Sequence, residues 1–216
     1  MPKICRSQKG LTMIEVLVSL MISLVVLLAI YQLFDTSHAT YASGTKKQDV
    51  QQQARLAMEE IVKRVRTAGY FPENFPTPPV PALANRIRIG AATGLAVYGD
   101  MDQAGASKIF LFCLDGTSIR TNTGAFGDVN AYTCNQGEAL ADNITGLGFQ
   151  YFDAANAVLA PSLDGQGLNA IPDMTTPTVR DSVRTVVITL TAREVVIHQD
   201  PQVYTLTSTV RLRNAN

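Results

Sequence analysis

Two short segments of the sequence carry residue types at spacings that could bind a metal ion or a nucleotide. Asp100-Met101-Asp102-Gln103-Ala104-Gly105 places carboxylates at alternate positions, as calcium-binding loops do. Ala104 lacks a side-chain oxygen and the twelfth position is Leu111, so a solvated acidic turn is favoured over calcium binding by Asp100 and Asp102. The run from Gly165 to Ala170 fits a dinucleotide fingerprint only formally, because Ile171-Pro172 follows where a helix would begin.

Other catalytic or ligand-binding residue patterns are sparse. The sequence has no Trp, its two histidines, His38 and His198, stand alone, and it contains neither a Gly-x-Ser-x-Gly elbow nor zinc-ligand spacing. The formal net charge is zero, which argues against a protein held to nucleic acid by a basic field. The sequence therefore predicts no enzyme, no cofactor, no metal site and no direct nucleic-acid binding.

The three cysteines fall into two groups along the chain. Cys5 lies in the basic leader near the N-terminus, whereas Cys113 and Cys134 lie in the C-terminal half. In an exported domain such a pair is a disulfide candidate. The bond would close a loop of about twenty residues and contribute ~3 kcal/mol in the chain-entropy model. Two buried free thiols are the alternative.

Glu15 needs an explanation because it is an acidic residue within a long apolar segment that is predicted to be a membrane helix. Residues 11–34 form an apolar run in which Glu15 is the one acidic residue, and a helix needs about 20 apolar residues to cross a bilayer. A carboxylate costs roughly 2.5–3.5 kcal/mol at the centre of such a helix and less near the interface. Glu15 should therefore lie at the membrane edge or have a partner; an interfacial position without a role is the simpler alternative.

A basic leader precedes the apolar run. Lys3, Arg6 and Lys9 have no acidic residue among them, and positive charges stay on the cytoplasmic side of a membrane helix. The apolar run is longer than the ~7–15 residues of an ordinary signal peptide. These two features predict a single-pass membrane protein with its N-terminus in the cytoplasm and the rest of the chain outside.

The segment Lys9-Gly10-Leu11-Thr12-Met13-Ile14-Glu15, followed by this hydrophobic run, resembles the leader and cleavage motif of type IV pilins and pseudopilins. The resemblance implies that a prepilin peptidase cuts between Gly10 and Leu11 and methylates the new N-terminus. Leu11 is a departure, since the family most often has Phe there. The resemblance also implies that Glu15 pairs with the N-terminal amine of a neighbouring subunit and sets the subunit register.

The rest of the chain reads as a second helical half followed by strands. Apolar residues recur at steps of three and four, which predicts one buried helix face; they are Val50, Ala54, Ala57, Met58, Ile61, Val65 and Ala68. Gly69 and Pro72 should end the helix.

Five prolines at positions 72–81 predict a rigid connector. Strands are predicted at 86–89, 95–98, 108–114, 144–152, 183–192 and 203–212, and loops at 115–143 and 153–178. The predicted fold is α+β, pilin-like, with a long N-terminal helix packed against an antiparallel β-sheet.

Further segments resemble PilW-type minor pilins: Gln53–Met58, Arg66–Tyr70, Asn143–Tyr151 and Thr209–Asn214. The J-type minor pseudopilins of type II secretion share this outline and stay open as an alternative. The implied organisation is a cleaved leader at 1–10, a transmembrane and filament-core half at 11–34, an amphipathic half at 35–70 and a periplasmic globular domain at 71–216.

The resemblance implies a structural subunit of a priming complex at the pilus tip. Its partners would be the prepilin peptidase, other minor pilins, the major pilin and the inner-membrane assembly platform. Adhesion and twitching motility would be properties of the whole fibre. The alternative from another class is a membrane-tethered periplasmic enzyme or binding domain, which would keep residues 1–10 or be cut near Ala39.

Overall fold

The computed structural model describes residue 10 and residues 12–71, 86–100, 107–125, 133–159, 182–194 and 201–213. Within these ranges the chain forms a long helix, a 3₁₀ turn at Cys134–Gln136 and nine strands. The elements are α1 (Met13–Thr67), β1 (Ile87–Gly90), β2 (Gly94–Gly99), β3 (Lys108–Asp115), β4 (Ser118–Ala125), β5 (Glu138–Ala141), β6 (Ile144–Phe152), β7 (Val158–Leu159), β8 (Thr185–Glu194) and β9 (Gln202–Arg211). The proline-rich connector, the Gly165 segment and His198 lie outside the described residues.

The chain divides into two compact units, an N-terminal unit of residues 1–46 and a C-terminal unit of residues 47–216. Helix α1 is continuous across this boundary, and its 55 residues agree closely with the predicted helix. Gly44 does not interrupt it. The α+β class, with a long N-terminal helix and antiparallel sheets, is confirmed.

The predicted buried face of α1 is also confirmed. All seven predicted apolar residues from Val50 to Ala68 are buried in the C-terminal unit, and they share one hydrophobic core with residues of both sheets. Ala54, Ala57 and Ile61 are fully inaccessible to solvent. The 3–4 spacing of these residues thus fixes the second half of α1 against the sheets.

Two antiparallel sheets are present in the described residues, where one was predicted. The first has the order β1-β2-β3-β4-β5 and the second β7-β6-β8-β9. Strand β3 has apolar residues on both faces: Phe110 and Phe112 join the core beneath α1, while Ile109 and Leu111 join a second cluster on the opposite face. The first sheet is therefore covered on both sides along β3.

The predicted loop at 115–143 is wrong in part. Strand β4 pairs with β3 along its whole length, from Asp115↔Ser118 to Lys108↔Ala125, and the short β5 pairs with β4. Gly116, at a φ of +62°, opens the two-residue turn between β3 and β4. Hairpin pairing therefore makes a strand of a segment whose own composition is polar. Part of the predicted loop at 153–178 also forms β7, a two-residue strand paired with β6.

Helix α1 ends at a glycine, as predicted. Gly69 adopts a φ of +74°, and a Cβ at this position would lie 2.5 Å from Cγ of Arg86, so only glycine fits without a shift. Its N–H donates to the carbonyl of Tyr98 at 2.8 Å, and the N–H of Asp100 donates to the carbonyl of Tyr70 at 2.9 Å. The end of the helix is thereby tied to the end of β2.

Candidate functional site

The start of α1 is built by a threonine and a glutamate three residues apart. Thr12 precedes the helix, and its carbonyl accepts hydrogen bonds from the N–H groups of Glu15 (3.1 Å) and Val16 (3.3 Å). The Thr12 hydroxyl donates to the Glu15 carboxylate at 3.5 Å. The Thr-x-x-Glu spacing is that of a capping box, but the contact differs from one, because in a capping box each side chain accepts from the backbone N–H of the other residue. The sequence analysis identified Glu15 but not Thr12, although the three-residue spacing between them is visible in the sequence.

Glu15 lies in the first turn of α1 and is exposed. Its negative charge is favoured there by the partial positive charge of the helix N-terminus, typically by 0.3–1 kcal/mol. Gly10 is also exposed, and a Cβ added to it meets no atom within 4 Å. Packing within the described chain therefore does not require a glycine at position 10. Leu11, the other residue of the predicted cleavage site, lies outside the described residues.

The apolar residues of the N-terminal unit are exposed on every face of the helix. From Met13 to Phe34 the large apolar side chains are between 46% and 83% exposed. By length and composition this part of α1 could cross a membrane, and none of its most apolar window is buried within the described residues. So much exposed apolar surface is unfavourable in water, so the unit needs lipid or other apolar helices around it.

His38 and Asp100, two of the residues considered for ligand binding, lie in different surroundings. The ring of His38 contacts the ring of Phe34 edge-on, one turn earlier on α1, at 4.3 Å between centroids. Asp100 is buried at the end of β2, so the interpretation as a solvated turn is wrong for this residue. Asp102, its predicted partner for calcium, lies outside the described residues. Within the described ranges no three His, Cys, Asp or Glu side chains form a metal-binding group.

Cys113 and Cys134 lie next to each other in the C-terminal unit. Cys113 lies on β3 and Cys134 in the 3₁₀ turn, with their Cα atoms 6.0 Å apart and their sulfur atoms 2.03 Å apart. Both are buried in the cluster on the outer face of the first sheet. This separation suits a disulfide that holds the 3₁₀ turn to the sheet.

Two side-chain contacts join the elements of the C-terminal unit. Arg64 of α1 pairs with Glu60 at 2.6 Å, and its guanidinium lies 4.3 Å from the centre of the Phe110 ring on β3. Tyr151 of β6 donates its hydroxyl to the carbonyl of Ala91 at 2.8 Å, which links the second sheet to the β1–β2 turn. Burial raises the pKa of Tyr151 well above its usual value.

Comparison with known proteins adds to this picture. The model of the prokaryotic N-terminal methylation motif matches residues 5–31. Among solved structures, the chain is similar to a type IV-like pilin from Thermus thermophilus, with 8% identity, a TM-score of 0.45, and coverage of 76% of this chain and 97% of that one. A comparison with curated proteins finds no match. The chain thus carries a prokaryotic N-terminal methylation motif at the start of a helix that is long and apolar enough to span a membrane.

Proposed function

We propose that this protein is a structural subunit of the type IV pilin-like family, and more narrowly a PilW-type minor pilin that helps to prime pilus assembly at the tip. The observation that carries the proposal is the methylation motif at residues 5–31. That match includes Gly10 and Glu15, the residues on which the assembly chemistry would depend. Composition, helix and motif all favour a role in assembly over turnover of a substrate.

Processing would begin at the cytoplasmic face of the inner membrane. The prepilin peptidase would cut between Gly10 and Leu11 and methylate the new amine of Leu11. The exposure of Gly10, and the open space where its side chain would be, support a recognition role for this glycine rather than a packing role. The basic leader ahead of it favours the orientation in which the C-terminal unit is periplasmic.

The apolar part of α1 would serve in two environments. Its exposed side chains favour lipid before assembly and the helices of neighbouring subunits afterwards. Glu15 distinguishes the two, because an ionised carboxylate is costly in lipid and less costly when paired. We therefore propose that the Glu15 carboxylate pairs with the N-terminal amine of an adjacent subunit. This ion pair would fix the axial stagger between the two subunits.

The C-terminal unit would determine which subunits meet. Its sheets are held to the second half of α1 by the core around Ile61 and by the contact of Arg64 with Phe110, so its surface is presented in a fixed position relative to that half of the helix. A Cys113–Cys134 disulfide would hold the 3₁₀ turn in place on that surface. Other minor pilins, the major pilin and the assembly platform are the proposed partners, and the pilus tip is the proposed final location.

The experiment that tests this function compares Glu15→Ala with Glu59→Ala, an exposed glutamate on the same helix, in cells that assemble the fibre. The wild-type subunit is expected in sheared fibres. Glu15→Ala should be processed normally but incorporated at least about tenfold less, while Glu59→Ala should behave as the wild type. Normal incorporation of Glu15→Ala would remove the register role.

Deletion of the gene separates the pilus from the secretion alternative. A PilW-type subunit predicts a loss of surface pili with secretion intact. Loss of type II secretion with normal pili would instead assign the chain to the J-type pseudopilins. A chain absent from every fibre fraction, with both systems intact, would contradict an assembly role altogether.

A further inference from the structure

A small pocket lies in the C-terminal unit where α1 meets the ends of β8 and β9. Its volume is about 130 Å³, and it is lined by Lys47, Val50 and Gln51 of α1 together with Glu194, Gln202 and Tyr204 of the two strands. A single water needs only ~10–15 Å³, so the pocket has room for the head group of a side chain. Its polar lining residues come from both α1 and the two strands.

Glu194 is a carboxylate on the face of β8 whose other residues belong to the core. Along β8 the buried residues alternate as Val186, Ile188, Leu190 and Ala192, and Glu194 is next in the same series. Its residue is only 6% exposed, and it pairs across the sheet with Gln202. Because alternate strand residues share a face, the fold carries the Glu194 side chain inward towards α1.

No described residue satisfies this carboxylate. Oε1 of Glu194 is buried without a hydrogen-bond partner, and no ion pair joins the carboxylate to any residue within the described ranges. Lys47 lines the same pocket without pairing with it. Nearby Arg55 points its guanidinium to the hydroxyl of Tyr204 at 3.4 Å. A buried carboxylate without a counter-charge is strongly unfavourable, so Glu194 lowers the stability of the isolated subunit.

We infer that this pocket receives a basic side chain, most suitably an arginine, from an adjacent subunit of the fibre. The inference rests on the assembly role proposed above. A guanidinium is planar, weakly hydrated and rich in donors, so it can pair with the Glu194 carboxylate and also donate to amide oxygens at the pocket wall. The subunit would then have a second inter-subunit ion pair, in the globular domain, besides the one proposed for Glu15.

The test uses the full chain in fibre-forming cells, with Val203 replaced by the photoreactive p-benzoylphenylalanine. Val203 lines the pocket and is 63% exposed, so the probe reaches an occupant without disturbing the core. Irradiated fibres should yield a cross-link to another subunit near an arginine or lysine. Glu194→Gln should lower the yield at least tenfold, while the matched change Glu138→Gln, at an exposed glutamate of β5, should leave it unchanged.

The inference, but not the proposed function, would be overturned by any of the following results: no cross-link from a subunit that is present in fibres, an equal yield from Glu194→Gln, or a mapped peptide without a basic residue. Lys47→Gln tests the alternative that Lys47 of the same subunit is the partner of Glu194. It should leave the yield unchanged, and a loss as large as that of Glu194→Gln would assign Lys47 as the partner and overturn the inference. A subunit missing from fibres would instead contradict the proposed function, and the inference with it.

A stability measurement gives an independent readout. Since Glu194 is unpaired in the isolated subunit, Glu194→Gln should raise the thermal midpoint of the detergent-extracted protein even as it lowers the cross-link yield. An arginine-to-glutamine change at the mapped partner position should lower the yield to the same extent. A lower midpoint for Glu194→Gln would mean that the carboxylate already has a stabilising partner within the chain, and would overturn the inference.

Discussion

Replacing Ile61 by alanine tests whether the core beneath α1 holds the helix to the two sheets. Ile61 is fully buried in the cluster that contains residues of both sheets. The change removes three carbons at ~0.8 kcal/mol each, and the cavity left behind adds to this, so we expect the free energy of unfolding to fall by about 3 kcal/mol. For a unit of this size each kcal/mol corresponds to roughly 2–4 °C, which gives a thermal midpoint about 6–12 °C lower.

Leu56→Ala is the matched control on the same helix. Leu56 is 55% exposed and lies off the buried face, so its loss should change the midpoint by no more than about 2 °C, as for an ordinary surface substitution. Near-ultraviolet circular dichroism of the detergent-extracted protein follows the tertiary packing of the C-terminal unit in both variants. Equal midpoints for Ile61→Ala and Leu56→Ala would refute the reasoning that α1 and the sheets share one core.

Two further predictions concern the C-terminal unit. Burial raises the pKa of Tyr151 in the folded protein above the value of about 10 that it has in the unfolded chain. The stability that the protonated Tyr151 contributes is therefore fully present below about pH 10. This stability is lost as the pH rises through the folded pKa. Tyr151→Phe should lower the free energy of unfolding by ~1 kcal/mol at pH 7, because the hydrogen bond to Ala91 is lost. The variant should also lose less stability than the wild type above pH 10, as measured by urea unfolding. An equal loss of stability above pH 10 in both proteins would contradict this. Replacing Cys113 and Cys134 together by serine should lower stability by ~3 kcal/mol, because the bond would close a loop with a sequence separation of 21. Mass spectrometry without reductant should find no free thiol at either position in the protein extracted from cells, and two free thiols would refute the disulfide.

The helix was predictable because its signals are local. A 3–4 spacing of apolar residues marks the buried face from Val50 onwards, and Gly69 supplies a conformation that other residues reach only with strain. Strands β8 and β9 were predictable for a similar reason, since apolar residues alternate along both. In each case the sequence carries the same period as the element it forms.

Strand β4 was missed because its stability comes from its neighbour. Of its eight residues only Ile119 is buried, so no alternation of apolar residues marks it. Its pairing with β3 follows from the two-residue turn Gly116-Thr117, whose glycine at the first turn position is a short-range hairpin signal that the composition of the segment obscured. The burial of Asp100 and Glu194 was equally hidden, because it depends on how β2 and β8 end against α1 and on no local pattern.

The chemical identity of the mature N-terminus tests the proposed pilin-like role most directly. Intact-mass and N-terminal peptide analysis of the protein extracted from membranes with an active prepilin peptidase should find N-methyl-Leu11 as the first residue, with residues 1–10 removed. Gly10→Ala, which meets no steric obstacle within the described chain, should fold normally and remain uncut. An intact Met1 in the wild-type protein, or a terminus near Ala39, would contradict the assignment as a pilin-like subunit.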